Sequence, residues 1–111
     1  MKLVLFDDFQ PGVLKGDSVV DISKAIDNLK GGSPQETMQN LITNFPSLKA
    51  KLEEMLASFQ GIPITAVRLR APLPRPRKIL CCIGNYKEGT RREVRPLDLF
   101  MKSPESVIGQ G

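Results

Sequence analysis

A segment with proline at every second position, Pro72, Pro74 and Pro76, divides this chain of 111 residues into two parts. Proline has no backbone N–H and fixes its own φ, so such a segment cannot continue a helix or a regular ladder of strand hydrogen bonds. We therefore predict an N-terminal domain over residues 1–70, a linker over residues 71–77 and a different structural unit over residues 78–111.

Short apolar segments separated by turn residues predict a small antiparallel sheet in the N-terminal domain. Residues 2–6 are apolar apart from Lys2 and favour β-structure, and the chain breakers Asp7-Asp8 and Gln10-Pro11-Gly12 follow them. Residues 13–17 and 18–22 are two further candidate strands. Gly16-Asp17 predicts the tight turn that joins them.

Three helices are predicted after this sheet, and the first two have clear end signals. Ser23 can cap a short helix that ends at Gly31-Gly32, where the chain can enter the left-handed conformation without steric cost. Ser33, Pro34 and Glu36 then have the spacing of a capping box with proline at the first helical position. This pattern predicts the start of the second helix.

Pro46 and Ser47 predict the change from the second helix to a third, because Pro46 ends one helix and Ser47 can cap the next. Apolar residues recur at helical spacing in both helices, which predicts that one face of each packs on the sheet. These residues are Met38, Leu41, Ile42 and Phe45, and then Leu48, Leu52, Met55, Leu56 and Phe59. Residues 64–69 alternate in polarity and predict one more strand before the linker.

Residues 78–83 form a continuous apolar segment, which is typical of a strand buried on both faces of a larger structure. In a strand, Cys81 and Cys82 point to opposite faces. We interpret them as reduced core residues. Two cysteines are too few for a disulfide framework and, without any histidine, they are too few ligands for a zinc site. The predicted fold is α+β: a small antiparallel sheet with about three helices, then the first strand and loops of a truncated β-rich domain.

Composition and hydropathy exclude several classes of protein. Hydrophobic residues make up 41% and charged residues 25% of the chain, which is ordinary for a folded globular domain. No apolar segment approaches the ~20 residues needed to cross a bilayer, and residues 2–6 run into Asp7-Asp8 rather than a signal-peptide cleavage site. We therefore predict a cytoplasmic protein without a membrane segment.

Charge is distributed unevenly along the chain. Residues 1–65 carry a formal charge of −2, whereas residues 66–111 carry +6. The arginines of this basic half are not interleaved with stacking aromatics, and Tyr86 is the only tyrosine, so nucleic acid is not predicted as a partner. A solvated face, a contact with another subunit or a pocket for an anionic substrate explains the basic half better.

Several short motifs follow one another in a fixed order along the chain. They are Lys2 to Phe6, Val19-Val20-Asp21, Ala71-Pro72 to Pro76, Lys78 to Cys81, Asn85-Tyr86, Pro96, Phe100-x-Lys102 and Ser106 to Gly109. In this order and at this spacing, the chain resembles the fumarylacetoacetate hydrolase family over most of its length. Each motif alone has little specificity, whereas the ordered set is specific.

The resemblance implies a metal-dependent enzyme of which this chain is the N-terminal part. Family members have a catalytic domain built from a rolled β-sheet, and a divalent metal, usually Mg²⁺ or Mn²⁺, binds a 2-oxo acid or acylpyruvate-like substrate and polarises its carbonyl. They cleave carbon–carbon bonds, decarboxylate or isomerise. The family's metal ligands, a Glu-x-Glu pair and a later Asp, would lie beyond Gly111. We therefore expect this chain alone to be inactive. The resemblance also implies that the full-length protein is a homodimer.

The chain departs from the family pattern in the segment that forms a mobile lid in many members. The lid histidine and glutamate that serve there as acid and base are replaced by Gly89 and Arg92. Glycine cannot take up a proton, so either another group, such as Glu88 or Glu93, has this role or the reaction differs.

The resemblance also indicates candidate substrate-binding residues. Lys102 lies beside a strand end, and its ammonium could meet a substrate carboxylate or a metal-ligating acid. Tyr86, together with Asn85, and Ser106 could orient the substrate or the lid. The alternatives are structural: a solvated lysine, a tyrosine that packs with its hydroxyl at the rim, and a serine in a plain turn.

Two functions are compatible with these observations. The first is the N-terminal part of a metal-dependent hydrolase, decarboxylase or isomerase of this family. The second is a non-catalytic interaction or subunit-assembly module, in which residues 1–65 form the domain and the basic segment docks on a partner. The absence of histidine slightly favours the module.

Overall fold

The computed structural model describes residues 1–84 and 96–110 and divides into two compact units. The first unit contains Met1–Pro74 together with residues 108–110, and the second is Arg75–Val107. Antiparallel strands and two α-helices make up the first unit, which confirms the predicted α+β class. The predicted domain limits stay a prediction.

The five strands described in the first unit are antiparallel neighbours in one sheet. They are β1 (Lys2–Phe6), β2 (Gln10–Lys15), β3 (Ser18–Asp21), β4 (Ile62–Pro63) and β5 (Leu69–Arg70), in the order β4-β3-β2-β1-β5. The first strand has the limits predicted for it. Strands β1 to β3 form a meander, and β4 and β5 add to it at opposite edges.

Two tight turns shape the meander. Gly16, between β2 and β3, has a φ of +57°, a left-handed conformation that glycine adopts without steric cost, and the predicted turn is confirmed. The turn between β1 and β2 instead has Asp7 and Phe9 at φ values of +46° and +60°. Asp7 is held there by Arg68: the Asp7 N–H donates to the Arg68 carbonyl (2.8 Å), and Asp7 Oδ1 accepts from the Arg68 N–H (2.8 Å). These bonds offset the strain of the left-handed conformation.

The prediction that Gln10-Pro11-Gly12 breaks the chain is wrong, because these residues open the central strand β2. Pro11 lies opposite Leu5 of β1, and on its other side its carbonyl accepts from the Ile22 N–H (3.1 Å). In an antiparallel ladder the nitrogen of a residue faces the same neighbour as its carbonyl. The missing N–H of Pro11 therefore faces the region beyond the end of β3, where it removes no ladder hydrogen bond.

Gly12 is required because two buried side chains approach its backbone closely. A methyl group at this position would lie 2.7 Å from Val19 Cγ1 and 3.0 Å from Phe6 Cε1. Both side chains are buried in a close-packed interior, so neither can move aside without disturbing its other neighbours.

We expect Gly12→Ala to destabilise the first unit by about 1–3 kcal/mol through overpacking. Urea unfolding followed by circular dichroism measures this loss. Gly32→Ala is the matched control, since a methyl group there would meet Glu36 Oε2 at 3.4 Å, an ordinary contact. Equal stability of the two variants would contradict the close packing at Gly12.

Helix α1 (Pro34–Thr43) begins as the sequence predicts. Ser33 is its N-cap: Ser33 Oγ accepts from the Glu36 N–H at 3.2 Å, and Pro34 occupies the first helical position. Glu36 returns the bond one residue earlier than a standard capping box, because its Oε2 accepts from the Gly32 N–H (2.8 Å). The local signal therefore determines where α1 starts.

The prediction of a helix after Ser23 is wrong, because this stretch forms turns and a short 3₁₀ helix, Asp27–Leu29. The Ser23 N–H donates to Asp21 Oδ1 (2.7 Å), and Ser23 Oγ donates to Gln10 Oε1 (3.0 Å). A side-chain bond of this kind competes with helix formation. The hydroxyl thus connects the end of β3 to the start of β2 and does not cap a helix.

Helix α2 (Phe45–Ser58) begins earlier than predicted. Pro46 lies in its first turn, where a missing N–H removes no helical bond, so Pro46 starts α2. Asn44 separates the two helices, and Ser47 Oγ donates to the Asn44 carbonyl (2.8 Å) from inside the first turn. The prediction that Ser47 caps this helix is therefore wrong.

Lys15, at the end of β2, closes the C-terminus of α2. Its Nζ donates to the carbonyl oxygens of Leu56 and Phe59, the second at 3.2 Å. A cation at this end of a helix also offsets the partial negative charge of the last carbonyls. The contact ties the end of α2 to the sheet.

Residues 62–70 form two short strands rather than the one strand predicted over residues 64–69. β4 pairs with β3 at one edge of the sheet and β5 with β1 at the other, with a 3₁₀ turn at Ile64–Ala66 between them. At ordinary strand and 3₁₀ rises this connection spans about 17 Å at most. Four strand spacings in a flat sheet would cover about 19 Å. The sheet is therefore curled.

The core of the first unit joins the sheet to both helices. Its buried members are Leu5, Val13, Ile22, Ala25, Ile26, Met38, Leu41 and Leu52. The predicted apolar faces are confirmed except at their margins, because Ile42 is 50% exposed and Phe59 follows the last residue of α2 in an extended conformation. Across the described residues, none of the helices combines the length and hydropathy needed to cross a membrane.

A two-stranded antiparallel ribbon is the main element described in the second unit. β6 (Ile79–Cys82) pairs with β7 (Leu99–Lys102). Cys81 lies opposite Phe100 and Cys82 opposite Leu99, so the two cysteines point to opposite faces, as predicted. Both are free thiols.

The described residues do not cover this strand and its cysteines, so their burial in a larger structure stays a prediction. Leu80 is 61% and Met101 71% exposed, Cys82 is exposed and Cys81 is half-buried. Two strands have too few neighbours to cover their own side chains. The ribbon therefore presents an exposed apolar surface.

Candidate substrate-binding loop

Lys102 occupies the last position of β7, opposite Ile79 of β6. Side chains alternate between the faces of a strand, so Lys102 shares a face with Phe100. Its Nζ lies 5.9 Å from the centre of the Phe100 ring, whose face attracts a cation. Lys102 is exposed, so its ammonium is accessible to an anionic ligand.

The residues after Lys102 form a tight turn, and residues 102–106 are called the lysine loop below. Ser103 Oγ accepts from the Glu105 N–H (3.3 Å) at the start of a 3₁₀ turn, Pro104–Ser106. Ser106 donates to the Ser103 carbonyl through both its N–H (3.0 Å) and its Oγ (2.7 Å). Its hydroxyl proton is thus used locally, and towards a ligand its oxygen acts as an acceptor.

Glu105 connects the lysine loop to the start of the second unit. Its carboxylate accepts from Ser103 Oγ and from Arg75 Nη2, the latter at 3.0 Å. The bond from Ser103, then the backbone N–H of Glu105 and the Arg75 guanidinium, lower the pKa of this carboxyl below its ordinary value. Both charged side chains are exposed, so the ion pair orients the loop more than it stabilises the fold.

The lowered pKa of Glu105 leads to a testable pH dependence. A carboxyl group whose pKa is depressed by folding stabilises the folded state above its ordinary pKa, and this contribution is lost as the pH falls through the lowered value. We expect an NMR titration to show Glu105 titrating below the usual range. Ser103→Ala should raise its pKa more than Arg75→Met does, because the bond from Ser103 is the larger cause. The reverse order would contradict this assignment.

The structure brings two of the predicted substrate-binding residues, Lys102 and Ser106, into one loop. The other candidate residues lie outside the described residues. They are Tyr86 and its neighbour Asn85, Gly89 at the position of the lid histidine, and Glu88, Arg92 and Glu93. Their roles stay predictions.

The ion pair between Glu105 and Arg75 is not predicted from the sequence. The turn that contains Glu105 has a sequence signal, because Ser103-Pro104 repeats the serine and proline that start α1. Its partner has no local signal, since Arg75 lies 30 residues away among several arginines.

Within residues 1–84 and 96–110, no group of three or more histidine, cysteine, aspartate or glutamate side chains is placed to hold a metal ion. Mg²⁺ and Mn²⁺ prefer sites with several oxygen ligands. The described residues therefore do not fit the divalent metal that the resemblance implies.

Comparison with known proteins finds similarity to maleylpyruvate hydrolases. A curated maleylpyruvate hydrolase of Aquipseudomonas alcaligenes is 26% identical over an alignment of 128 positions, which covers 100% of this chain and 45% of that protein. A crystal structure of maleylpyruvate hydrolase from Sphingobium sp. SYK-6, in complex with manganese(II) and pyruvate, superposes with a TM-score of 0.75 at 28% identity. Maleylpyruvate hydrolase is a fumarylacetoacetate hydrolase family protein. This chain is similar to these maleylpyruvate hydrolases in both sequence and fold.

The homology is to the N-terminal part of the fumarylacetoacetate hydrolase family proteins that match. The superposition covers 94% of this chain and 38% of the Sphingobium chain, and a second structure of that enzyme gives a TM-score of 0.74 at 30% identity over 94% and 37%. The chain thus spans less than half the length of the relatives it matches. No family model matches the chain.

Proposed function

We propose that this chain is the N-terminal part of a divalent-metal-dependent enzyme that hydrolyses the carbon–carbon bond of an acylpyruvate. One observation carries the proposal: sequence and fold match, over 94% of the chain, a maleylpyruvate hydrolase whose structure holds manganese(II) and pyruvate. Hydrolysis is preferred to the decarboxylation or isomerisation of 2-oxo acids, because the relatives that match are hydrolases.

Hydrolysis of an acylpyruvate breaks the bond between the acyl carbonyl carbon and C3 of the pyruvate portion. The oxygen of water goes to the acyl carbon, which leaves as a carboxylate, and C3 takes up a proton to become the methyl group of pyruvate. The electron pair of the broken bond is held meanwhile as the enolate of pyruvate, so the site must stabilise negative charge. The formal charge of +6 over residues 66–111 suits such a substrate.

In this reaction we assign Lys102 to the substrate carboxylate. Its ammonium has three hydrogen-bond donors and is accessible at the end of β7. Ser106 uses its proton in the bond to the Ser103 carbonyl and is assigned the role of an acceptor, towards water or a protonated group. Tyr86 is assigned to orient the substrate.

The group that transfers protons must differ from that of many family members. Gly89 stands where those members have the lid histidine, and the chain contains no histidine. A glutamate side chain is ionised at neutral pH and can accept a proton, so we assign the proton transfer to Glu88 or Glu93 of this segment.

The metal ligands are proposed to follow Gly111 in the longer protein, which is this chain continued to the length of its relatives, with Mg²⁺ or Mn²⁺ as the ion. The exposed apolar surface of the ribbon supports this, because a larger sheet would cover side chains such as Leu80 and Met101. On this proposal residues 1–70 are the N-terminal domain, 71–77 the linker and 78–111 the start of the catalytic domain. The longer protein is a homodimer, and the 111-residue chain alone is inactive.

Turnover by the longer protein tests the proposal. We expect release of pyruvate from maleylpyruvate or a related acylpyruvate with Mn²⁺ or Mg²⁺, and at least about 100-fold less activity after treatment with EDTA. The 111-residue chain, assayed in parallel, should release none. Activity that survives metal removal would contradict the proposal. A longer protein that folds but turns over no acylpyruvate would favour the non-catalytic interaction module.

A further inference from the structure

Residues 108–110 lie with the first unit, although the segment before them forms the second. Together with Leu3, Val4 and residues 69–72 they line a cleft of about 230 Å³. Ile108 does not fill this cleft with its side chain, which is 83% exposed. The segment is therefore held through its backbone, at Gly109.

Gly109 approaches the backbone of β5 so closely that a methyl group at this position would be crowded. A methyl group on its Cα would lie 3.0 Å from the Arg70 Cα and the Leu69 carbonyl oxygen, and 3.1 Å from the Ala71 nitrogen. These are backbone atoms in and beside a strand that is paired with β1. They cannot rotate aside as a flexible side chain can, so a methyl group here shifts the segment or the strand by a few tenths of an ångström.

We propose that Gly109 is a positioning residue for the lysine loop, a role that rests on the proposed function. The start of the loop is held by the pairing of Lys102 with Ile79, its middle by Glu105 and Arg75, and its exit by Gly109 against β5. An anchor three residues after Ser106 limits how far the last turn of the loop can open. Less conformational freedom is then left to lose when a ligand binds.

Hydrogen–deuterium exchange tests the anchor independently of enzyme activity. The amides of Ser106 and Val107 donate to the carbonyls of Ser103 (3.0 Å) and Pro104 (3.3 Å), so their exchange reports how often the loop opens. In Gly109→Ala we expect both amides to exchange at least about threefold faster than in the unchanged protein. Unchanged exchange at both amides would overturn the proposal.

Two other glycine replacements are the controls for this experiment. Gly32→Ala creates only an ordinary contact and should leave the two loop amides unchanged. Gly12→Ala lowers the stability of the sheet at β2, which is not a neighbour of β5, and controls for general destabilisation. An increase at the loop amides in Gly12→Ala as large as that in Gly109→Ala would also overturn the proposal.

Kinetics of the longer protein provide a second readout. A poorly positioned loop binds substrate less well, so Gly109→Ala should raise KM about tenfold. An enzyme that is merely destabilised would instead lose apparent kcat at an unchanged KM, and that result would overturn the positioning role. Absence of turnover in the unchanged longer protein would contradict the proposed function, and the exchange experiment would still decide the anchor.

Discussion

Replacing Lys102 by Met in the longer protein is expected to lower kcat/KM for an acylpyruvate by about 100-fold. Methionine keeps an apolar stem of similar length but removes the ammonium that is assigned to the substrate carboxylate. Because Lys102 is exposed at the end of β7, its removal should leave the fold unchanged. Steady-state release of pyruvate measures the effect, and the thermal midpoint checks the folding.

Two further variants separate the ammonium from positive charge in general. Lys24→Met removes an exposed charge from the first unit and should keep kcat/KM within about twofold, since Lys24 has no assigned role and exposed charges are screened. Lys102→Arg keeps the charge but replaces a compact ammonium with a planar fork, so we expect it to recover part of the activity. Full activity of Lys102→Met would contradict the role assigned to Lys102.

The largest effect on stability is expected for Leu41→Ala, a loss of about 2–5 kcal/mol. Leu41 is 0% exposed in the core of the first unit, whereas its neighbour Ile42 is 50% exposed on the same helix. Ile42→Ala should therefore cost less than about 1 kcal/mol. Urea unfolding of the 111-residue chain, followed by the helical circular dichroism signal, compares the two. Similar losses would contradict the orientation of α1 on the sheet.

Several elements of the first unit follow from signals between residues that are close in sequence. The turn at Gly16 and the start of α1 at Ser33 are examples, because the groups that bond there lie within a few positions of each other. The helix predicted after Ser23 does not form. The Ser23 hydroxyl bonds to the side chain of Gln10, 13 residues away in sequence, and a local pattern does not reveal such a bond.

The elements that the sequence does not predict depend on distant partners. Pro11 is tolerated in a central strand because of where β3 ends, and residues 62–70 divide into two strands because they reach both edges of a curled sheet. The apolar segment of β6 predicts a buried strand, but burial needs neighbours that the described residues do not supply. Periodicity alone therefore identifies the strand and not its surroundings.

In the candidate site, the sequence locates the residues but not the contacts that hold them. Lys102 and Ser106 were indicated by the resemblance, and the structure places both in one loop. The local use of the Ser106 hydroxyl, the bond from Arg75 to Glu105 and the approach of Gly109 to β5 all depend on tertiary geometry. A glycine near a chain end also has a plain alternative as a flexible turn.

Titration with Mn²⁺, followed by electron paramagnetic resonance, tests most directly that this chain supplies the substrate side of a metal site completed by a later segment. The longer protein and the 111-residue chain are titrated in parallel, with and without pyruvate. We predict that the longer protein removes the signal of the free ion at stoichiometric concentration and that pyruvate changes the bound spectrum, while the 111-residue chain leaves the free signal unchanged. Stoichiometric Mn²⁺ binding by the 111-residue chain, or none by the longer protein, would contradict this division of the site.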